Sequence, residues 1–349
     1  MPNTSDNVKI ILGTGAFGQD TGPKAIESMT TVEEAREAID LFKSYGHNEL
    51  DTARNYGRGA SEELLGHMNL GEQGILVNTK VHPRVPGGFN AENVCARMQE
   101  SLKALQTEKV HVYFLHAPDA ATPLEETLKA INHLYEHAFF EKFGISNYST
   151  ADVRKILSIC DKKKYIRPTV YQGNYNALGR AAESDGLFSL LRENGMAFHA
   201  FSPLGAGLLS GKFKSKDDMD KDEFGRSQVV LRQIYKKWFS HGTYFEALKV
   251  LNRAAEKHKM STVEIALRWI RYHSALSAEH GDAVILGFST KTQLEQSLNY
   301  VDAGKLPDEL AEVANSLWDL AEDERPSHAF LEGIMPGTIK SDSGADTAS

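Results

Sequence analysis

Cysteine is scarce in this sequence: Cys95 and Cys160 are the only two among 349 residues. That excludes a disulfide-stapled scaffold. Both fall in helix-like segments with no sign of an activated thiol, so they read as reduced core residues. An excess of positive charge is also missing. Lys and Arg number 39 against 47 Asp and Glu, a net charge of −8, which argues against a nucleic acid partner. No stretch approaches about 18 apolar residues, so no membrane span is expected. The opening Met1-Pro2-Asn3-Thr4-Ser5-Asp6 has neither a basic region nor an apolar run. No targeting signal is therefore expected, and a cytoplasmic location follows. No Pro/Ser-rich linker divides the chain. What is present, 41% hydrophobic and 25% charged residues, is an ordinary globular composition. At about 150 residues per domain the length suggests two domains, although one α/β barrel absorbs the same length.

Short strand-like runs alternate with longer helical patterns. Strands are expected near Ile10–Leu12, Asn48–Leu50, Ile75–Thr79, Val110–Leu115, Phe143–Ile145, Val170–Gln172, Ala197–Phe201 and Ala283–Leu286. Helices are expected at 32–44, 61–69, 91–105, 123–138, 150–160, 185–194, 245–258 with 262–272, and 292–300, and another at 307–322 closes the series. Thr31…Glu34, Thr122…Glu125, Ser261…Glu264 and Thr290…Gln293 each fit a capping box, and Pro123 suits a first helical position. Eight strand–helix repeats are the count that closes a (β/α)8 TIM barrel, with a doubly wound open sheet as the competing arrangement. The segment 202–244 after the seventh strand is long for a βα loop and highly charged at Lys212–Glu223, as a surface excursion or a flap over a ligand would be. The expected organisation is one barrel over 1–325, with a long loop after strand seven, an extra C-terminal helix and a tail over 326–349.

Three motifs mislead. Gly13-Thr14-Gly15-Ala16-Phe17-Gly18 matches a dinucleotide fingerprint, but no helix pattern starts before Thr31, where the phosphate would need one. His133-Leu134-Tyr135-Glu136-His137 matches a zinc-hydrolase pattern, yet it lies in an outer helix with no third ligand in view. Gly205–Lys212 looks like a phosphate loop, but five residues separate Gly205 from Gly211 where the motif needs four. Phe213 also stands in its Ser/Thr position.

In a parallel barrel, chemistry gathers at the C-terminal strand ends. Polar residues there are Asp51 and Tyr56 after strand two, Lys80 on strand three and His116 on strand four. Ser146 and Asn147 follow strand five, Gln172 ends strand six and Ser202 follows strand seven. This is not a metal set. A tyrosine titrates near pH 10 and alone donates poorly to a carbonyl. A nearby ammonium lowers that value, a carboxylate holds the ammonium in place, and a histidine can hydrogen-bond the carbonyl oxygen. Such apparatus delivers a proton but holds no electrons, so a cofactor must bring hydride.

The stretches Leu50-Asp51-Thr52-Ala53-Arg54-Asn55-Tyr56-Gly57, Asn78-Thr79-Lys80, and Tyr113-Phe114-Leu115-His116-Ala117-Pro118-Asp119 carry a resemblance. So do Gly144-Ile145-Ser146-Asn147-Tyr148 and Phe201–Lys212. Together they resemble the aldo-keto reductase superfamily, in order, from about residue 8 to 322. Thr169–Asn176 and His280–Gly287 make the chain look most like the aflatoxin-aldehyde reductase branch. The resemblance implies a general acid at Tyr56, with Lys80 lowering its pKa, Asp51 orienting Lys80 and His116 positioning the carbonyl. It implies NADPH as cofactor, with Ser146, Asn147 and Gln172 on the nicotinamide carboxamide. Phe201, or else Tyr171, would stack on the ring, and Ser202, Leu204, Gly207 and Lys212 would line the pyrophosphate path. Arg226, Ser289, Lys291 and Gln293 would contact the phosphates and Gln296 the adenine, with Ser297 standing where the branch usually has Asn. The branch usually offers arginine near Gln19-Asp20 and Ser327-His328-Ala329-Phe330. Its absence argues against acidic aldehydes. Phe17, Arg54, His82, Trp238 and Phe330 are candidate pocket residues, and they suggest an apolar or aromatic carbonyl substrate. The expected activity is NADPH-dependent reduction of an aldehyde or ketone, the alternative being an NADPH-binding regulatory or sensor subunit. The branch tends to dimerise, so a homodimer is an open expectation.

Overall fold

The computed structural model describes residues 7–18, 29–213, 215, 218, 242–321 and 328. Eight parallel strands pair in chain order and close on themselves. They are β1 (Lys9–Gly13), β2 (Glu49–Asp51), β3 (Leu76–Val81), β4 (Val110–Leu115), β5 (Phe140–Ser146), β6 (Val170–Asn174), β7 (Ala197–Phe201) and β8 (Ala283–Leu286). The ring is sealed where Ile10 of β1 pairs with Val284 of β8. The barrel expectation is met, and the open sheet is excluded.

The helices are α1 (Val32–Ser44), α2 (Ala60–Gly66), α3 (Ala91–Leu105), α4 (Leu124–Glu136), α5 (Thr150–Lys163), α6 (Ala181–Ser184) and α7 (Leu187–Glu193). Then come α8 (Gly242–His258), α9 (Thr262–Tyr272), α10 (Lys291–Asp302) and the extra C-terminal α11 (Asp308–Leu320). The expected helix 185–194 is two pieces, because Gly186 breaks it with a left-handed backbone, φ 72°. Helix α2 stops three residues early at His67, and Asn69 then turns left-handed. The capping boxes divide. Thr31 and Glu34 form a complete one. Ser261 and Thr290 cap their helices, but Glu264 turns to Arg268 and Gln293 accepts from Ser289 N–H instead. Thr122 forms no box: its hydroxyl donates to Asp119, and Pro123 itself is the cap.

Side chains alternate between the barrel interior and the helix layer. Val112, Phe114 and Val170 fill one part of the interior, and Ile11, Ala283 and Ile285 another. Gly144 makes room for Phe114, whose ring would lie 2.3 Å from any Cβ there. Toward the N-terminal end of the barrel, Glu49 accepts from Asn78 at 2.8 Å and from Lys9 at 2.8 Å, with buried His199 beside it. Among the described residues no helix is long and apolar enough to cross a membrane. Of the expected loop 202–244 and tail 326–349, only 202–213, 215, 218, 242–244 and 328 fall within the described residues.

Candidate active site

Strand parity decides which groups meet. Gln172 of β6 donates to Asp51 Oδ1 of β2 at 2.8 Å, a bond that crosses the barrel, so both point inward. Lys80 lies in register with Phe114, and His116 follows Phe114 by two residues, so both also face the mouth. Ser146 is in register with Gln172. Phe201 has the parity of His199, the partner of Gln172, and packs against inward Ile11, Ala283 and Ile285. Tyr171 has the opposite parity. Its hydroxyl donates to Tyr148 O and its ring stacks on Phe198 in the helix layer, so it cannot face a ligand in the mouth.

Lys80 is fully buried, and its ammonium has three donors. One goes to Asp51 Oδ2 at 2.6 Å, one to Thr52 O at 2.8 Å and one to Tyr56 Oη at 3.2 Å. Burial alone would lower its pKa, but Asp51 and Tyr56 outweigh that and hold it above the ordinary lysine value. Because Tyr56 Oη accepts from Lys80, its own hydrogen is left to point elsewhere. Burial raises the Tyr56 phenol and Lys80 pulls it down, while Asp51 pushes it further up. The net value lies above the ordinary one, so burial outweighs the expected lowering by the ammonium. At neutral pH Tyr56 is therefore protonated.

His116 stands edge-on to Tyr56, with ring centroids 5.9 Å apart, and His82 stands edge-on to His116 at 5.5 Å. Burial, Lys80 and His82 hold His116 well below the ordinary histidine range. His82 is pushed down to about 4 by burial and by Arg97 and Arg84. Its Nδ1 accepts from Arg84 N–H at 2.9 Å, which leaves Nε2 as the protonated nitrogen of the neutral ring.

The candidate cofactor residues divide into those at the mouth and those away from it. Asn147 takes a left-handed backbone, φ 66°, and its amide donates to His116 O and Ser146 Oγ at 3.0 and 2.9 Å. Its Oδ1 is buried and has no hydrogen-bond partner among the described residues. Ser202 and Leu204 lead into a tight turn in which Gly205, Ala206 and Gly207 are successively left-handed. The N–H groups of Gly205 and Gly207 close on Ser202 O and Leu204 O. Lys212 is exposed at the end of this turn. After β8, Ser289 N–H donates to Gln293, and Gln296 is exposed on α10. Lys291 forms an exposed ion pair with Glu37 at 2.9 Å. Arg226 lies outside the described residues.

Of the three candidate pocket residues that are described, His82 alone is brought beside the four central groups. Phe17 is fully buried edge-on against Phe288 and has no surface to offer. Arg54 turns its guanidinium to Gly59 O, Glu62 and Glu63, away from the mouth. Trp238 and Phe330 lie outside the described residues. Three participants escaped the sequence: the Thr52 carbonyl, the bond from Gln172 to Asp51, and buried Glu62. A backbone carbonyl has no letter, and a lone Glu in a helical run looks like a surface residue. The His133–His137 motif sits on outer α4, where His137 Nδ1 meets His133 O. Among the described residues no cluster of three or more metal-ligating groups occurs.

An eight-stranded parallel barrel carrying a Tyr–Lys–Asp–His group at its C-terminal mouth belongs among the barrel oxidoreductases. The chain is a member of the aldo/keto reductase family, whose model matches residues 9–319. It is 38% identical to an aldo-keto reductase of Pseudocercospora fijiensis (strain CIRAD86), over 81% of this chain and 97% of the relative. It is 36% identical to aflatoxin B1 aldehyde reductase member 2 of Homo sapiens, over 90% of this chain and 92% of that one. The crystal structure of a thermostable aldo-keto reductase in complex with the inhibitor epalrestat has the same fold, with a TM-score of 0.63. It is 24% identical, covering 88% of this chain and 94% of the other.

Proposed function

We propose that the chain reduces an aldehyde or ketone to its alcohol with NADPH, and that Tyr56 is the general acid. The observation that carries this is the Lys80 ammonium, whose three donors end on Asp51, Thr52 and Tyr56. That arrangement fixes a neutral phenol whose hydrogen is free to meet a carbonyl oxygen. His116, neutral and edge-on to Tyr56, supplies a second hydrogen-bond donor to that oxygen. When bound, the reduced nicotinamide cofactor supplies the hydride. As the carbonyl carbon gains hydride, its oxygen takes the Tyr56 proton. The phenolate that remains is stabilised by Lys80 until solvent returns a proton.

The residues present suit that cofactor. Asn147 Oδ1, buried and without a partner among the described residues, is an acceptor that a carboxamide NH2 would satisfy. Ser146, Gln172 and Phe201 line the same mouth. The Lys291–Glu37 pair is exposed on both sides, and such pairs contribute little, so Lys291 can exchange Glu37 for a phosphate at small cost. The rings of Tyr56, His116, His82 and Phe201 favour an apolar or aromatic carbonyl compound.

The test is Tyr56→Phe, assayed by NADPH oxidation across aldehydes, ketones and quinones. Turnover is expected to fall by about 10²-fold or more, with NADPH affinity, read by fluorescence titration, within about twofold of the parent. Unchanged turnover sinks the assignment of Tyr56. A parent chain that binds NADPH and turns over none of the carbonyls supports the regulatory-subunit alternative instead.

A further inference from the structure

Tyr56 sits on a loop whose backbone needs support. Gly57, Arg58 and Gly59 follow it with φ of 55°, 57° and 109°, and a left-handed arginine is uncommon. The loop's backbone tie to β3 at this point is long, Arg54 N–H to Lys80 O at 3.4 Å. The side chain of Arg54 does the rest. Its Nη1 donates to Gly59 O at 2.9 Å and to Glu62 Oε2 at 3.2 Å, and its Nη2 meets Glu63 at 3.1 Å. Gly59 is shaped around it: a Cβ there would lie 2.6 Å from the guanidinium nitrogens. Glu62 is fully buried, and its other oxygen accepts from Thr79 Oγ1 at 2.5 Å. Thr79 is the residue before Lys80. A closed circuit results. It runs from Tyr56 along its loop to Arg54, Glu62, Thr79 and Lys80, and returns through the 3.2 Å contact from Lys80 to Tyr56.

We propose that Arg54 is a positioning residue for carbonyl reduction, clamping the Tyr56 loop to β3 through buried Glu62 so that the phenol stays within reach of Lys80. This rests on the reading of Tyr56 as proton donor. The Arg54 guanidinium ends on Gly59 O, Glu62 and Glu63, so its hold on Tyr56 runs through the loop. On its near side the loop is braced as well, since a Cβ on Gly57 would lie 2.9 Å from Phe17 O and Gly18 O. With that brace in place, loss of the clamp lets Tyr56 drift without unfolding the loop.

The experiment compares Arg54→Met, Arg54→Lys and Tyr56→Phe in the full chain, with 4-nitrobenzaldehyde and NADPH. Arg54→Met is expected to lower kcat by about 10- to 100-fold, the scale of a displacement near 1 Å, while KM for NADPH stays within about twofold. A phenol held farther from Lys80 loses the charge that lowers its pKa, so the alkaline limb of the kcat profile should move to higher pH. Added guanidinium chloride at millimolar concentration should restore part of kcat in Arg54→Met, and Arg54→Lys should fall between the two. A kcat for Arg54→Met within about twofold of the parent, beside an inactive Tyr56→Phe, overturns the clamp. So does a fall in kcat with an unmoved alkaline limb and no response to guanidinium. Normal turnover by Tyr56→Phe overturns the underlying reading, and the clamp with it.

Discussion

Lys80 is the residue on which the site turns, because a fully buried ammonium survives only if every donor is met. Its pairing with Asp51 at 2.6 Å works in both directions, since Asp51 is buried too. Beyond the loss of turnover that the proposed mechanism calls for, Lys80→Met should therefore weaken the fold. It leaves the Asp51 carboxylate with the Gln172 amide and no cation, and breaking a buried pair in this way costs roughly 3–5 kcal/mol. Urea titration of the variant checks this, and a midpoint equal to that of the parent would show the pair to be dispensable to the fold. At this scale the sequence was generous with residue types and silent on geometry. Asp51, Tyr56, Lys80 and His116 could be picked as chemistry-bearing groups at strand ends. That Burial outweighs Lys80 in setting the Tyr56 phenol could not, because burial is a property of the assembled mouth. Arg54 shows the same limit: it stands two residues from Tyr56 in sequence, yet it faces a carboxylate on α2.

Elements come next, and the joints between them carry as much as the elements. Asp119, in the loop from β4 to α4, accepts from Gly87 and Phe89 N–H at 3.0 Å each. It also accepts from Ala121 N–H at 3.1 Å and from the Thr122 hydroxyl at 2.7 Å. It thereby ties the β3–α3 loop to the segment that follows His116. Asp119→Ala strands several of these donors at once and should destabilise the chain by roughly 3 kcal/mol or more. It should also raise amide hydrogen exchange selectively at Gly87 and Phe89. Exchange unchanged at those two positions would count against the tie. The same joint explains a failed expectation. Thr122…Glu125 has the letters of a capping box, but the Asp119 carboxylate is the stronger partner for the Thr122 hydroxyl. Helices with complete local signals, such as α1 with Thr31 and Glu34, were legible to the residue. The break at Gly186 was not, because a glycine inside a helical pattern is often tolerated.

For the whole molecule, the count of eight strand–helix repeats made the barrel legible and displaced the two-domain estimate from length alone. The histidines of its interior were harder to read, since their consequence is collective. His82 and His199 are both pushed down to about 4 by burial, and His116 lies well below the ordinary value of 6.5. Below about pH 6.5 the unfolded chain takes up protons that the folded chain refuses. Stability is therefore full above that pH and should fall as pH drops toward 4, by on the order of 1–2 kcal/mol per histidine between pH 6.5 and 5. Melting temperature against pH measures this, and His199→Gln should make the slope shallower. A slope unaltered by that substitution would remove His199 from the account.

The closed ring has a further consequence, for quaternary structure. An open sheet ends in two strands with unpaired N–H and C=O groups, and a second chain can pair with them. Here Ile10 and Val284 join the first strand to the last, and that template is gone. A second copy cannot lengthen this sheet. Any self-association of the chain is written instead on outer helix faces and loops, where surface substitutions can strengthen or abolish it while the ring that carries Asp51, Lys80 and Gln172 stays intact.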